Sequence, residues 1–255
     1  MMRSVRAVWI MAVLLVMITS QTSAHQDCPR IERDIEARMT LVASAADTDG
    51  SLHSLNVLAR EALAHCPNSE PLLYIVARTA ELGYGDGPRS NGPTPQAREL
   101  ASTAVGHHPG SVRLQTIFAR LDGGVAAARR AYESGTNYAP ARVTLALALA
   151  GENDFAAALK LLPKRAGTVA ERIARARILL VAGRAPEAAH EAAAARDARE
   201  EEVELMPGPD LERDRQEVWG LALVAQSRFR DAAPHLKLAA GLGSARAAAA
   251  LKNLR

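Results

Sequence analysis

Aromatic residues are scarce in this chain: two Trp, four Tyr and three Phe among 255 residues, or 4%. That leaves few platforms for stacking bases. Strand patterning is missing too, with no sustained Val/Ile/Thr/Tyr alternation bounded by hairpin turns. Two cysteines, Cys28 and Cys66, are too few and too far apart for a Cys-x-x-Cys redox or zinc motif. Of seven histidines only His107 and His108 are neighbours, and adjacent helical residues diverge, so no metal is expected. No Gly-x-Ser-x-Gly and no recognisable Cys–His pairing is present. The Gly-rich stretch 83–95, GYGDGPRSNGPTP, lacks a Gly-Lys-Ser/Thr ending and a preceding strand, which excludes a phosphate loop. The chain is read as non-catalytic, with no cofactor.

What remains is a chain 48% apolar and rich in Ala, the strongest helix former and one that lets backbones approach closely. The N-terminus reads as a leader. Arg3 and Arg6 precede an eleven-residue apolar run, Val8–Ile18, and Thr22-Ser23-Ala24 offers a small-residue cleavage site. At ~1.5 Å per residue that run covers about half of a bilayer core, so cleavage is favoured over a permanent anchor. Residues 1–24 are therefore expected to be a cleaved signal peptide, and the mature chain to be periplasmic or secreted from a bacterium, with no stable membrane span. Removing Arg3 and Arg6 leaves 29 basic against 28 acidic residues. The excess base sits in residues 101–200, with 14 Lys/Arg and 9 Asp/Glu, too modest for a nucleic-acid partner. In an oxidising compartment Cys28 and Cys66 are expected to form a disulfide stapling an N-terminal helical hairpin, residues 25–69.

Boundary signals divide the chain into short helices. The first two are expected over Ile31–Ala46 and Leu52–His65, parted by the turn cluster Asp47–Ser51. A third covers Glu70–Leu82, and Gly83–Pro95 is an extended loop within a hairpin. Further helices are expected at Gln96–His107, Ser111–Leu121, Val125–Ser134, Pro140–Ala150, Asp154–Leu162, Val169–Ala182, Pro186–Leu205, Leu211–Gln226, Arg230–Ala240 and Ser244–Leu254. The charge run Arg199–Glu204 reads as a solvated extension of a helix, and Asp210, Glu212 and Asp214 as acidic residues suited to a helix N-terminus.

These helices repeat. Small residues recur at Ala97, Ala128, Ala158, Ala188 and Ala232, at spacings of 31, 30, 30 and 44. Twelve residues before the last four lie Thr116, Ala146, Ala176 and Gly220. Three before them lie Val125, Phe155, Ala185 and Phe229, and four after them Tyr132, Leu162, Ala192 and Leu236. One small residue from each helix of a hairpin must meet where two helices cross closely, with a larger residue filling the gap one turn on. Pro67, Pro109 and Pro140 each follow Leu55, Ala97 and Ala128 by twelve.

The pattern resembles the tetratricopeptide repeat (TPR) family over roughly Leu52–Ala240. Ala146 and Gly220 match that family's small residue in the first helix, and Ala128, Ala158, Ala188 and Ala232 the one opening the second. Phe155 and Phe229 match its aromatic at the turn; Pro67, Pro109 and Pro140 match its closing proline. The repeat is shorter than the usual ~34 residues, and Ala119, Leu149, Leu179 and Leu223 replace the first-helix aromatic. The resemblance implies an all-α, right-handed superhelical solenoid of antiparallel helix hairpins, with repeats over 70–243 and a capping helix over 244–255. It also implies a scaffold or adaptor that takes a protein or peptide in a concave groove lined by first helices. On those helices Arg113, Arg120 and Arg177 are candidates to clamp an anionic group of the partner. Two other readings stay open: an assembly subunit using its convex face or the 83–95 loop, and an enzyme acting on cell-wall glycans.

Overall fold

A computed structural model describes residues 27–39, 48–85, 90, 92–163, 167–198 and 208–254. The leader expected at 1–24 and the charge run Arg199–Glu204 lie outside them. The described residues form helices and no β-strand, in two compact units, one ending at His108 and the other starting at Pro109.

The N-terminal unit holds α1 (27–39), α2 (Thr48–Leu63), α3 (Glu70–Glu81) and α4 (Ala97–His107). Residues 27–30, ahead of the expected Ile31, are already helical. The expected turn cluster is also largely helical, because residues 48–51 fall inside α2. Helix α3 packs against both α2 and α4. Ser69 caps α3 by accepting from the Leu72 amide, satisfying one of the orphan donors of a helix start. Cys28, in the first turn of α1, is joined to Cys66, just past α2, with Cα atoms 5.8 Å apart. Within the core, buried Asn56 of α2 donates through Nδ2 to Oγ1 of Thr79 on α3 at 2.6 Å. The described part of the glycine-rich stretch is non-helical and folds back on α3. There the Thr94 amide donates to the Ala80 carbonyl, and Tyr84, 2% exposed, is buried beneath.

The C-terminal unit is four hairpins and a closing helix. The hairpins are α5 (Val112–Asp122) with α6 (Val125–Ser134), α7 (Ala139–Gly151) with α8 (Phe155–Leu161), α9 (Val169–Val181) with α10 (Ala185–Ala194), and α11 (Gly208–Ala225) with α12 (Phe229–Gly241); α13 (Ala245–Asn253) follows. Each first helix packs on its own second helix and also on the next first helix, so α5, α7, α9, α11 and α13 form one continuous layer. The paired small residues sit at the crossings: Thr116, Ala128, Ala146, Ala158, Ala176, Ala188 and Ala232 are all fully buried. Gly220 shows why size matters there. A Cβ at that position would lie 2.7 Å from Cδ2 of Leu236, the larger residue that fills the gap one turn beyond Ala232.

Turn chemistry repeats with the packing. All four hairpins turn through a left-handed residue, Gly123 (φ 75°) in the first and Asn153 (φ 64°), Gly183 (φ 77°) or Ser227 (φ 59°) in the other three. In those three the following amide then reaches back five residues: Asp154 to the Leu149 carbonyl, Arg184 to Leu179, Arg228 to Leu223. This is the Schellman closure, which satisfies carbonyls left open at a helix end. Val125, Phe155, Ala185 and Phe229 are each the first residue of a second helix. Phe155 packs partly into the core, whereas Phe229 is half exposed. Pro140 stands in the first turn of α7, where its missing N–H is an orphan anyway.

The 44-residue interval has a structural explanation. Helix α10 stops at Ala194, a 3-10 turn covers Ala195–Asp197, and Ala198 is extended, so no continuous helix runs to Leu205. Helix α11 has 18 residues against 11 to 13 in α5, α7 and α9. Ion pairs tie the helices together, both between hairpins and within one. Arg142 on α7 bonds Glu171 of α9 through Nε at 2.8 Å, and Glu191 on α10 receives both Arg172 and Arg175 of α9 at 3.1 Å.

Candidate partner-binding groove

A first helix in this layer spends one side on its second helix and another on the neighbouring first helices, and a third side stays open. Residues on that side follow a register. Leu147, Arg177 and Leu221 each come immediately after the small crossing residue, Ala146, Ala176 or Gly220. One residue is a turn of about 100°, enough to carry the side chain from the crossing to the open face. These three line a groove of about 250 Å³ with Ala150 and Gly151 of α7, Ile178, Leu180 and Val181 of α9, Val218 of α11 and Arg246 of α13. Val181 is 63% exposed at its mouth, a large aliphatic group in solvent on an otherwise well-packed helix.

The groove's charges are paired. Arg177 contacts Oδ2 of Asp214 at 2.9 Å, and Arg213 contacts the other oxygen, Oδ1, at 3.1 Å; Arg213 also bonds Asp210. Arg246 lies 3.8 Å from Glu217, whose other oxygen accepts the Ser244 hydroxyl at 2.6 Å. Ser244 in turn caps α13 by accepting from the Ala247 amide. The acidic residues of α11 are therefore engaged with arginines, and Glu212, held by Arg215 and Gln216, has its pKa lowered chiefly by the Arg215 hydrogen bond. In the α7–α8 turn, Asp154 caps α8 by accepting from the Ala157 amide.

A second depression, about 420 Å³, lies between α10, α11 and α12 and is lined by His190, Trp219, Gln226, Arg228, Asp231 and His235 among others. Its polar groups are largely spoken for. Gln226 Nε2 donates to the Ala185 and Ala222 carbonyls, and Arg228 pairs with Asp231. His235 stacks on Trp219 with centroids 4.0 Å apart and meets Gln216 Oε1 through Nδ1 at 2.6 Å. Gln216 gives its amide N–H to Glu212, so Nδ1 of His235 is the donor. Burial, then the charge of Arg215, lowers the His235 pKa and favours the neutral ring. No group of three or more His, Cys, Asp or Glu among the described residues is arranged to hold a metal ion. Nor is any described helix long and apolar enough to cross a membrane.

Of the three candidate arginines, only Arg177 lines the groove; Arg113 and Arg120 lie on α5, away from its lining. The structure adds Arg246 and the aliphatic wall of Leu147, Val181 and Leu221. The 30- and 44-residue register of Leu147, Arg177 and Leu221 was readable one position past the crossing residues. Arg246 was masked by the capping role of its helix.

No protein-family model matches the chain, and no curated protein matches it. Among solved structures, a thermophilic TPR protein from Thermus thermophilus is similar, at 19% identity and a TM-score of 0.51, over 78% of this chain and 98% of that one. At that identity the likeness speaks for the fold. Stacked hairpins, small-residue crossings and this likeness together give the chain an all-α, TPR-like helical-repeat fold.

Proposed function

We propose that the protein is an exported, non-catalytic binding scaffold of the bacterial envelope. It takes a segment of a protein partner in the groove formed by α7, α9, α11 and α13. The observation that carries this reading is the open aliphatic face: side chains at one repeat position, on successive first helices, converge on a single groove with Val181 at its mouth. Concave, mostly apolar surfaces with a few polar groups are where proteins take ligands, and an extended repeat face suits a chain segment. The Cys28–Cys66 disulfide supports an oxidising compartment, as does the leader-like N-terminus.

Val181→Arg places charge at the groove mouth from a position that is already exposed, so the fold is spared. Partner capture from envelope extract with residues 25–255 as bait should fall by more than about tenfold in that variant, the loss expected when a charge replaces one apolar anchor. Capture should survive both Leu238→Arg on the exposed side of α12 and a deletion within the 83–95 loop. Capture that survives Val181→Arg and is lost with the loop deletion would establish the assembly-subunit reading instead.

A further inference from the structure

The groove's two arginines invite the view that it grips carboxylates, but their partners argue otherwise. Arg177 is already bound by Asp214, a side chain 16% exposed and itself steadied by Arg213. Arg246 faces Glu217. Arg177 thus has an internal carboxylate in direct contact, while Arg246, its side chain 68% exposed, is only loosely paired at 3.8 Å; formally the charges of the groove cancel. A partner's acidic group would have to displace Asp214 and lose its own water in exchange for a bond the protein already makes. Eight of the ten lining residues are aliphatic or glycine. The volume, about 250 Å³, falls below the roughly 300–1,000 Å³ of small-molecule pockets and suits one or two aliphatic side chains.

We infer that Asp214 is the specificity-determining residue of this groove: it screens Arg177, so that the groove selects uncharged segments anchored by Leu, Ile, Val or Met and refuses acidic ones. The aliphatic stem of Arg177 then serves as a wall, with its charged end turned to Asp214. This inference rests on the groove being the binding site.

The test uses positional-scanning hexapeptide pools, each with one defined residue, against the full chain. Pools fixed as Leu, Ile, Val or Met should be retained at least about fivefold over those fixed as Asp or Glu. Retention should hold steady between about 50 and 500 mM salt, because screening acts on charge recognition and not on apolar burial. Asp214→Asn keeps the shape of the side chain and removes the screen; it should raise retention of the Asp and Glu pools about tenfold, a gain equal to one modest charge interaction. Acidic pools retained as well as aliphatic ones by the unaltered chain, or retention that falls steeply with salt, overturns the inference. So does an Asp214→Asn protein, folded by circular dichroism, that treats acidic pools as before. Retention of no pool at all, or retention indifferent to Val181→Arg, overturns the groove itself as the binding site.

Discussion

At the level of single residues, the chain works through size. The Gly220 site has no room for a methyl group, since the nearest atoms of Leu236 include its backbone nitrogen at 3.2 Å. Gly→Ala inside a helix ordinarily stabilises by roughly 0.5–1 kcal/mol. Here Gly220→Ala should instead destabilise by about 1–3 kcal/mol through overpacking, measured by urea denaturation, and the same substitution made in a Leu236→Ala background should cost less, read as a double-mutant cycle. His235 gives a second outcome. Its folded pKa lies below the usual ~6.5, so the unfolded chain binds the proton more readily. Stability from the half-buried neutral ring is complete above about pH 6.5 and declines as the pH falls through that value towards the folded pKa. The thermal midpoint should therefore drop between about pH 7 and 5, and His235→Gln should flatten that slope. Residue size was legible beforehand, because Thr116, Ala146, Ala176 and Gly220 stand in register with their partners. The Trp219–His235 stack was not, because it joins α11 to α12 through a contact that no repeat position announces.

At the level of elements, the hairpin is set by its turn as much as by its crossing. Asn153, Gly183 and Ser227 do the same left-handed job, and they differ in cost. A left-handed residue with a Cβ is disfavoured by about 1–2 kcal/mol, less for Asn. Ser227→Gly should accordingly stabilise the chain by about 0.5–1 kcal/mol after the added entropy of the unfolded glycine, whereas Asn153→Gly should be nearly neutral; paired thermal melts decide it. Helix positions were largely readable because Ser, Asp, Pro and Gly punctuate them: Ser69, Ser111, Asp154, Thr168 and Ser244 all cap helices through their side chains. Two elements were misjudged for physical reasons. Gly50 and Ser51, breakers by propensity, fall in the first turn of α2, just ahead of the buried Leu52, where a weak local preference does not decide the conformation. The reach of the α10 helix was overestimated, since Ala, Arg and Glu favour helix at every position and nothing in the sequence marks the extended Ala198.

For the whole molecule, the fold was legible because the same packing problem is solved again and again, and each solution leaves a small residue at a fixed interval. The groove was less legible because it is made by four helices together, and its charges are cancelled by side chains from α11 that propensity assigned to a helix start. The staple in the N-terminal unit is a local device. Closing a 38-residue separation should contribute about 4 kcal/mol in the chain-entropy model. Cys28→Ser with Cys66→Ser should lower the stability of the N-terminal unit by roughly that amount, read by hydrogen exchange of the α2 and α3 amides, and leave exchange in α7 to α12 unchanged. The central claim is that binding occurs on the first-helix face of the C-terminal unit. Its most direct test is site-specific photocrosslinking in the intact envelope, with a photoreactive amino acid at Val181, in the groove mouth, or at Leu238, exposed on α12. A discrete adduct from position 181 and none from 238 is the predicted result, and adducts from 238 alone would contradict it.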